Sequence, residues 1–521
     1  MIFEKKILAV VVATSLAALA GCSSDDSTDN TDTLSAQASY TLTNDNVYML
    51  ASGFPGTIIG DGHNVDGSTT NDDNITLNIE AGTLILGSSK EALIVTRGSK
   101  IEAVGTAADP IVMTSKTQFD AWAAGGDGTS GRGEWAGLAL MGYGKSNECA
   151  TPCDVEAEGG IGAYGGTDDT DNSGTLKYVV VRHAGNEITT DNELNGLTLF
   201  ATGSGTTMDH IQVHKGLDDG IEHFGGADFM SHLVLTDNAD DSFDWGQGYT
   251  GGVQYMVVKQ ANDDGDRAIE ADNDKGDPNA GPISQPILAN MTLMAADAST
   301  ETSADGILLR RGTGANIYNS IITGFADACI DIDETATMDR AHSGTAYTGD
   351  LTIDNTFIDC ATDFESADQD LDKDVNTGVQ KDTDGDGTFD EGRDTFAEVG
   401  KKMVSEWFAE SGTGNDSTTT VDLTSSGLPT GAFDVTVTAP SIGDAKFDNT
   451  TYAGAFDPAA GSQWSEGWTV GLHGNTTVWE PATGVTPTSD GTCPTGTTFV
   501  EAITLPNGAG QMDLCQLKAS Y

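Results

Sequence analysis

Pairs of aspartates recur in the middle of the chain at nearly constant spacing, a pattern that can bind a cation or supply an acid and a base. The pairs begin at Asp218, Asp240 and Asp263, so the steps are 22 and 23 residues. Carboxylate oxygens are hard ligands of the kind that Ca2+ prefers. We therefore expect a calcium-binding acidic ladder, whose members are Asp218, Asp219, Glu222, Asp240, Asp241, Asp244 and Glu270.

A short hydrophobic sequence motif repeats with the same period, which indicates that the repeats stack. Its equivalent residues Ile211, Leu233 and Met256 again stand 22 and 23 residues apart. A fixed period of this length predicts a parallel β-helix, in which each coil pairs with the next about 4.8 Å away. Later copies of this motif begin with Asn290, Asn319 and Asn355. Asparagine tolerates tight bends, and here it can hydrogen-bond its copy on the next coil.

Strand alternation predicts which side chains of the acidic ladder point outwards. The inward positions are Ile221, His223, Phe243, Trp245 and Ile269, and the outward ones are Glu222, Asp244 and Glu270. Two carboxylates about 5 Å apart repel by roughly 1 kcal/mol in water and roughly 3 kcal/mol at an effective dielectric constant of 20. Either bound cations or concentrated salt must therefore neutralise this face.

A second candidate calcium site lies in a polar stretch farther along the chain. Its carboxylates alternate as in a calcium loop and are Asp382, Asp384, Asp386 and Asp390. Gly387 permits the sharp turn that such a loop needs. Arg393 stands where an EF-hand has its bidentate Glu, so the loop is more similar to the calcium repeats of thrombospondin type 3 domains. The alternative is a solvated acidic loop.

Two other kinds of chemistry fit residues near the ladder. Polysaccharide lyases and glycoside hydrolases use clustered carboxylates, and a lyase base would come from Lys259, Arg267 or Arg310. No Gly-His-Gly companion motif of a hydrolase is found in the sequence, and the acidic surface would repel uronate polymers. A zinc site is the other alternative, and its ligands would be His210, His214, His232 and Asp218.

The charge balance limits the partners. The chain has 521 residues with 80 acidic against 24 basic side chains, which gives a net charge of −56. Such a surface repels nucleic acids and anionic lipid headgroups, so nucleic-acid binding is not expected. Solubility in a salty habitat is the simpler interpretation of the same charge.

The first residues have the form of a targeting segment. Lys5 and Lys6 precede an apolar run that is too short to span a bilayer. The run ends in Leu19-Ala20-Gly21-Cys22, which resembles the lipobox of bacterial lipoproteins. That resemblance implies cleavage before Cys22, lipidation of Cys22, and sorting to the outer membrane because Ser23 follows. The alternative is an ordinary secreted protein with a chance cysteine.

Six further cysteines suit an oxidising compartment. They fall in local pairs, Cys149 with Cys153, Cys329 with Cys360, and Cys493 with Cys515. Because the chain contains no CxxC motif, structural disulfides are favoured over zinc binding.

Several longer motifs together resemble one family, the right-handed parallel β-helix surface lipoproteins of Gram-negative bacteria, which have no established activity. The motifs are Glu134-Trp135-Ala136-Gly137, Tyr164-Gly165-Gly166, residues 171–178, residues 192–198, residues 308–312, residues 452–456 and Gly467-Trp468-Thr469. The resemblance covers residues 75–480 and implies an all-β, right-handed, single-stranded solenoid.

The remaining patterns predict the boundaries of the chain's parts. An apolar stripe from Phe396 to Phe408 indicates an amphipathic helix that caps the open end of the solenoid. After it we expect an irregular C-terminal region, where Trp464, Trp468 and Trp479 pack in the interior or form a sugar-stacking platform. The predicted parts are a signal peptide (1–21), a lipidated tether (22–40), a β-helix (41–360) with a Gly-rich excursion (117–175), an acidic insert (361–395), the capping helix (396–411) and a closing region (412–521).

These expectations combine into one functional hypothesis. The sequence predicts a lipid-anchored outer-membrane protein, on the surface or the periplasmic side, that binds Ca2+ and acts as a binding or structural module. Its partner would be a glycan or another envelope protein. The alternative function is a calcium-dependent polysaccharide lyase or glycoside hydrolase that uses the acidic ladder.

Overall fold

The strands of the chain stack in parallel coils, as the repeat period predicts. The computed structural model describes residues 39–60, 75–126, 131–149, 153–189, 192–296, 305–343, 346–366, 396–440, 442–474 and 479–521. Within these residues two large sheets run along the coils, one of 17 strands and one of ten. The predicted all-β parallel β-helix is confirmed.

The 17-stranded sheet, here the larger sheet, contains strands of most coils and both strands of the C-terminal hairpin. Its members are β1 (Ser39–Leu42), β2 (Asn46–Met49), β4 (Thr76–Ile79), β5 (Leu84–Gly87), β7 (Lys100–Val104), β8 (Ile111–Ser115), β12 (Gly174–Arg182), β16 (Thr207–His214), β18 (Phe229–Thr236), β20 (Gly252–Lys259), β22 (Ile287–Met294), β24 (Ala315–Tyr318), β25 (Ile321–Thr323), β27 (Leu351–Asp354), β28 (Phe357–Asp359), β30 (Thr497–Thr504) and β31 (Gln511–Leu517). Except for the β30–β31 pair, these strands pair in parallel.

The ten-stranded sheet, here the smaller sheet, carries one strand per coil. Its members are β3 (Gly56–Ile59), β6 (Ala92–Val95), β9 (Gly137–Met141), β15 (Leu197–Phe200), β17 (Ile221–Phe224), β19 (Phe243–Gly246), β21 (Ile269–Ala271), β23 (Asp305–Leu309), β26 (Ala328–Ile332) and β29 (Phe364–Glu365). Two short hairpins lie outside these sheets, β10 (Val155–Glu156) with β11 (Ala163–Tyr164), and β13 (Asn186–Thr189) with β14 (Asn192–Leu194).

A single left-handed residue bends the chain at the same place in successive coils of the larger sheet. These residues have φ between 49° and 63° and are Tyr178, His210, His232, Tyr255, Asn290, Asn319 and Asn355. The register beside them is the predicted one, since Ile211 pairs with Leu233 and Leu233 with Met256. Asn355 donates from Nδ2 to Oδ1 of Asn319 at 3.1 Å, so the predicted bond between asparagine copies is confirmed at this pair.

The space between the sheets is filled by the inward side chains of each coil. Ile221, Phe243 and Ile269 are fully buried in one continuous cluster, and Trp245 belongs to the same cluster. His223 is also fully buried, where its ring lies against Phe243 and Tyr249. The inward half of the predicted alternation is therefore confirmed.

The two ends of the solenoid are closed by different parts of the chain. Helix α3 (Phe396–Glu410) packs against β26 and β29, and Trp407 donates from Nε1 to the carbonyl of Leu351 at 2.9 Å. At the other end, β31 pairs in parallel with β2, and the last residues bond to Ile58 of β3. The C-terminal region reaches that end by running along the outside of the larger sheet, where Val470 bonds to Gln212.

The three disulfides join the cysteines that the local pairing predicts, Cys149 with Cys153, Cys329 with Cys360, and Cys493 with Cys515. Two short helices, α1 (Lys116–Ala123) and α2 (Thr335–Ala341), are not predicted by the sequence pattern. Helix α1 lies at the start of the excursion, where Phe119 and Trp122 bury its only apolar surface. Eight residues are too few to show the helical period.

Candidate functional site

The acidic ladder forms on the outward side of the smaller sheet. Glu222 of β17 pairs with Asp244 of β19, and Asp244 pairs with Glu270 of β21. The predicted register and outward direction of these three residues are therefore confirmed. Thr198 precedes Glu222 in the same row, and Leu308 and Asp331 follow Glu270.

A second acidic row lies at the turn that leads into each of these strands. Oδ1 of Asp219 accepts the backbone N–H of Asp241 at 3.0 Å, and Oδ1 of Asp241 accepts the N–H of Arg267 at 2.7 Å. The N–H of Asp219 donates to Oδ1 of Asn195 at 3.1 Å. Each acidic side chain thus holds the next coil, which explains why aspartate recurs at this point of the repeat.

The third aspartate pair does not occupy the predicted place. Ala268 and Ile269 stand opposite Ser242 and Phe243, so Asp266 and Arg267 follow Asp240 and Asp241 in the stack. Asp263 lies in a bulge three residues earlier, where it pairs with Arg132 at 2.8 Å. The prediction that Asp263 stacks on Asp240 was therefore wrong. The step from Asp244 to Glu270 is 26 residues instead of 22, and the extra residues form a bulge before β21 that contains Asp263.

The carboxylates of the acidic ladder meet in overlapping groups. In each group the ligand oxygens lie within 4.8 Å of one another, and the groups are Asp218 with Asp219 and Asp240, Asp219 with Glu222 and Asp244, Asp240 with Asp241 and Asp266, and Asp241 with Asp244 and Glu270. Every predicted ligand of the acidic ladder therefore has a carboxylate oxygen within 4.8 Å of those of at least two other carboxylates.

Burial and mutual repulsion disfavour the charged forms of these groups. Burial raises the pKa of Asp219, Glu222, Asp241 and Asp244 well above the ordinary range, and the neighbouring carboxylates raise the pKa values further. Burial, with Asp240 and Glu193 nearby, also raises the pKa of Asp218 to about 7.

Asp244 lies at the centre of the face and carries an unsatisfied oxygen. Among the residues that the structure describes, no donor contacts its buried Oδ1. Oε2 of neighbouring Glu222 accepts from Nδ2 of Asn195 at 2.5 Å. No Lys or Arg of the described part of the chain forms an ion pair with Asp219, Glu222 or Asp244. An oxygen-preferring cation would satisfy this set.

Three arginines neutralise the other end of the face. Arg267 contacts Asp266 and lies 2.9 Å from Oε2 of Glu270. Arg310 bonds to Glu270, and its Nε donates to Oδ1 of Asp272 at 2.9 Å. Arg311 pairs with Asp272. The expectation that only cations or salt neutralise the face was therefore wrong at Glu270, because Arg267 of its own coil and Arg310 of the next coil reach it.

The excursion and one hairpin cover the sheet beside the acidic ladder. The outward residues Ala139 and Phe200 pack against Ile161, Tyr164 and Leu194. Glu158, at the edge of this cover, faces Asp218 and Glu193, and burial together with these charges raises its pKa to about 8. The acidic ladder therefore begins where the apolar cover ends.

Several residues of this face were missed in the sequence. Asp272 directly follows β21, and Asp331 lies in β26, both on the outward phase. Extending the alternation by one residue pair or by one coil would have identified them. Burial and the charges of Asp333 and Asp305 raise the pKa of Asp331 to about 8. Glu158 has no signal of this kind, because its position depends on how the excursion folds back.

The histidines do not form the predicted zinc set. His210 and His232 stack with their ring centroids 4.3 Å apart, and both bond to Oδ1 of Asp209. His214 is buried elsewhere, against Thr236, and Asp218 lies in the turn before β17, where it groups with Asp219 and Asp240. The four-residue set was wrong, although Asp209, His210 and His232 themselves converge within 4.8 Å.

The other candidate residues lie away from the acidic face or outside the residues that the structure describes. Lys259 is on the larger sheet, where it donates to the carbonyl of Ser425, so it is not near the ladder. Trp468 and Trp479 are buried, as the packing interpretation predicts. Cys22 and the loop carboxylates Asp382, Asp384, Asp386 and Asp390 lie outside the described residues. No helix of the described part is long and apolar enough to cross a bilayer.

Residues 58–409 match a family described as the pectate-lyase-like β-helix domain, over more than half of the chain. The chain belongs to this family. The β-helix part of the resemblance found in the sequence is thus confirmed, and its lipoprotein part stays a prediction.

Comparison with solved structures finds the catalytic domain of a GH87 α-1,3-glucanase in complex with tetrasaccharides. The identity is 9% and the TM-score 0.25, over 60% of this chain and 65% of that one. The chain thus spans slightly less than two thirds of that domain. No curated protein matches the sequence.

Proposed function

We propose that this member of the pectate-lyase-like β-helix family binds Ca2+ on its acidic face and serves as a lipid-anchored binding or structural module of the outer membrane. The group formed by Asp219, Glu222 and Asp244 supports the calcium site. Their oxygens lie within 4.8 Å of one another, and Asp244 has a buried oxygen without a donor.

Calcium suits the carboxylate oxygens of this group. All ligands are oxygens, and Ca2+ accepts six to eight of them in irregular geometry. Without a cation the carboxylates must take up protons, which is the state that their raised pKa values describe. Binding of Ca2+ would therefore release protons and stabilise the coils around β17 and β19.

The test is thermal unfolding of the mature soluble chain after chelation, with and without added Ca2+. Calcium at one hundred times its Kd should stabilise the protein by about 2.7 kcal/mol, measured as a rise in Tm. Asp244→Asn should reduce this rise and raise the Tm of the calcium-free protein, because asparagine is buried uncharged without having to take up a proton on folding. Glu501→Gln, on the exposed strand β30, is the matched control and should behave as wild type.

The loop at 382–390 requires its own variant, since it is a second predicted calcium site. Replacing Asp382, Asp384 and Asp386 by Asn should lower the calcium stoichiometry in isothermal titration and leave the Asp244-dependent rise in Tm. An unchanged Tm on adding Ca2+ to both wild type and this loop variant would refute the site on the acidic face.

The sequence supports the anchor. The lipobox resemblance at Cys22 supports lipidation, and a Cys22→Ser variant should move the protein from the membrane fraction to the soluble fraction.

A glycan is the partner class that we propose, because the partly open face combines carboxylates with Arg267 and Arg310, which sugar hydroxyls can bond. An envelope protein is the other partner that affinity capture from membranes would detect.

One observation favours catalysis as a second candidate. Asp244 and Glu222 have raised pKa values, as a general acid needs, and Arg310 lies at the same face. Screening the protein against a polysaccharide panel for new reducing ends or unsaturated uronates, both with Ca2+ and in chelator, distinguishes the two functions. Cleavage that Asp244→Asn abolishes would establish the enzyme, and binding without cleavage would establish the module.

A further inference from the structure

Two histidines and an aspartate meet on the outer side of the larger sheet, whereas the acidic ladder lies on the smaller one. His210 of β16 and His232 of β18 stand at the left-handed bend of successive coils. Their Nδ1 atoms both contact Oδ1 of Asp209, at 2.8 Å and 2.9 Å. One ligand atom from each of the three residues lies within 4.8 Å of the other two. Two ring nitrogens therefore converge on one carboxylate oxygen.

Neighbouring rings hold the two imidazoles in place. Tyr178 stacks on His210 with the ring centroids 4.3 Å apart, and Tyr255 stacks on His232 at 4.8 Å. Trp464 lies edge-on to both imidazoles, at 5.9 Å and 5.0 Å. The ligand atoms are therefore gathered before an ion arrives, which lowers the entropic cost of binding.

Both oxygens of Asp209 are oriented by other side chains. Lys177 pairs with Oδ2 at 2.9 Å, and the hydroxyl of Ser231 donates to Oδ1 at 3.0 Å. Because Lys177 occupies Oδ2, the oxygen turned to the imidazoles is Oδ1. An ion bound there takes the place of the hydrogens that the two Nδ1 atoms share with Oδ1, and each neutral imidazole then carries its hydrogen on Nε2.

The movement that an ion requires is small. A tetrahedral ion with bonds of about 2.0–2.1 Å separates its ligand atoms by roughly 3.3 Å, so each Nδ1 has to move about 0.5 Å from Oδ1. The two rings are nearly parallel, with 15° between their planes, and have to tilt towards the ion. The side chains of His232 and Asp209 are 25% and 22% exposed, which leaves room for this tilt and gives the ion access from solvent.

The ligand atoms select the kind of ion. Imidazole nitrogen suits transition-metal ions such as Zn2+, Cu2+ and Ni2+, whereas Ca2+ and Mg2+ bind oxygen. Two imidazoles and one carboxylate leave a coordination position for water, as in zinc sites with three protein ligands. The net charge of −56 attracts cations to the whole surface, so it does not oppose binding here.

We propose that Asp209, His210 and His232 bind a divalent transition-metal ion of the Zn2+ class. The ion would join β16 to β18 and so stabilise the coils that the C-terminal region crosses. The set differs from the zinc set predicted in the sequence, because Asp209 stands in place of His214 and Asp218. It is independent of the calcium site on the acidic face.

The experiment titrates the mature soluble chain, without a histidine tag, with Zn2+ in excess Ca2+ by isothermal titration calorimetry. The excess Ca2+ competes for sites made only of oxygen atoms. One Zn2+ per chain should bind in a step that His210→Asn and His232→Asn each weaken by about tenfold or more, because a metal–nitrogen bond is lost. Asparagine preserves the bend, since it occupies the equivalent left-handed position at Asn290, Asn319 and Asn355.

His342→Asn is the matched control, because His342 is also partly exposed but its Nδ1 contacts only the carbonyl of Met338. It should bind Zn2+ as wild type does. Zn2+ should also raise the Tm of wild type in excess Ca2+ and leave that of His232→Asn unchanged, since the ion joins two coils.

Near-ultraviolet circular dichroism verifies that each variant is folded. The proposal is overturned if wild type binds no Zn2+ in excess Ca2+, if folded His210→Asn and His232→Asn both bind as wild type does, or if His342→Asn weakens the binding equally. The calcium site is tested separately by the Asp244→Asn variant, so either site can fail without the other.

Discussion

At the scale of single residues, the acidic face contains carboxylates whose charged forms are disfavoured. Burial raises the pKa of Asp305 and Asp218 to about 7, and that of Asp331 and Glu158 to about 8. In the unfolded chain the same groups ionise near pH 4. The folded protein therefore holds protons that the unfolded chain has lost, and these groups reduce stability as pH rises from about 4 to about 8.

Asp331→Asn isolates this effect at one position. Near pH 4 the variant and the wild type should differ little in stability, because Asp331 is protonated in the folded protein and about half protonated in the unfolded chain. At pH 8 the variant should be more stable by on the order of 2 kcal/mol, since it has no charge to bury. The measurement is the Tm of both proteins in chelator across this range, and a difference that stays constant with pH would contradict the assignment.

Asn319 tests the ladder of left-handed residues. It has a φ of 50°, donates to Oγ1 of Thr450 at 2.9 Å and accepts from Asn355. Asn319→Ala should cost about 2–4 kcal/mol of unfolding free energy, because alanine disfavours this φ and two buried bonds are lost. Asn319→Gly keeps the backbone relaxed and loses only the bonds, so chemical denaturation should place it between wild type and alanine. Equal losses for both would mean that backbone strain contributes nothing.

At the scale of elements, the capping helix closes one end of the hydrophobic core. Its side chains Met403, Val404, Trp407 and Phe408 are buried, whereas Glu410 is exposed. Without the helix, the last coil would expose apolar residues and strand edges that invite association.

Trp407→Ala should therefore destabilise the C-terminal coils by about 3–5 kcal/mol, as large-to-small substitutions in cores do. Hydrogen exchange should show loss of protection in β26 and β27 first, with the coils around β17 little changed. Glu410→Ala on the same helix is the control and should leave exchange unaltered. Uniform loss of protection along the whole solenoid would show that the helix is not a local cap.

At the scale of the whole molecule, the C-terminal region returns along the solenoid and completes its first coil. β31 adds to β2, and residues 519–521 bond to Ile58 of β3. The disulfide between Cys493 and Cys515 fastens this hairpin region to itself. One chain thereby covers both ends of its own β-helix.

Removal of residues 485–521 should expose the edges of β2 and β3. The truncated protein should form dimers or larger species with increasing concentration, because unpaired strand edges template association. Size-exclusion chromatography with light scattering measures this. The full-length Cys493→Ser, Cys515→Ser variant retains β31 and should stay monomeric; a monomeric truncated protein would contradict the capping role.

The sequence by itself determined the features that repeat. The 22-residue period, the inward positions of Ile221 and Phe243, the left-handed asparagines and the register of Glu222 with Asp244 follow from local alternation and from side chains that recur once per coil. The disulfide pairs were also within reach, because each joins cysteines close in sequence.

Only the tertiary structure decided the features that do not repeat. The bulge that places Asp266 instead of Asp263 in the stack, the arginines that reach Glu270, the cover over β9 and β15, and the path of the C-terminal region along the larger sheet all depend on contacts between distant segments. Such contacts are fixed by the shape and charge of surfaces that exist only after the coils have stacked, so no period along the chain records them.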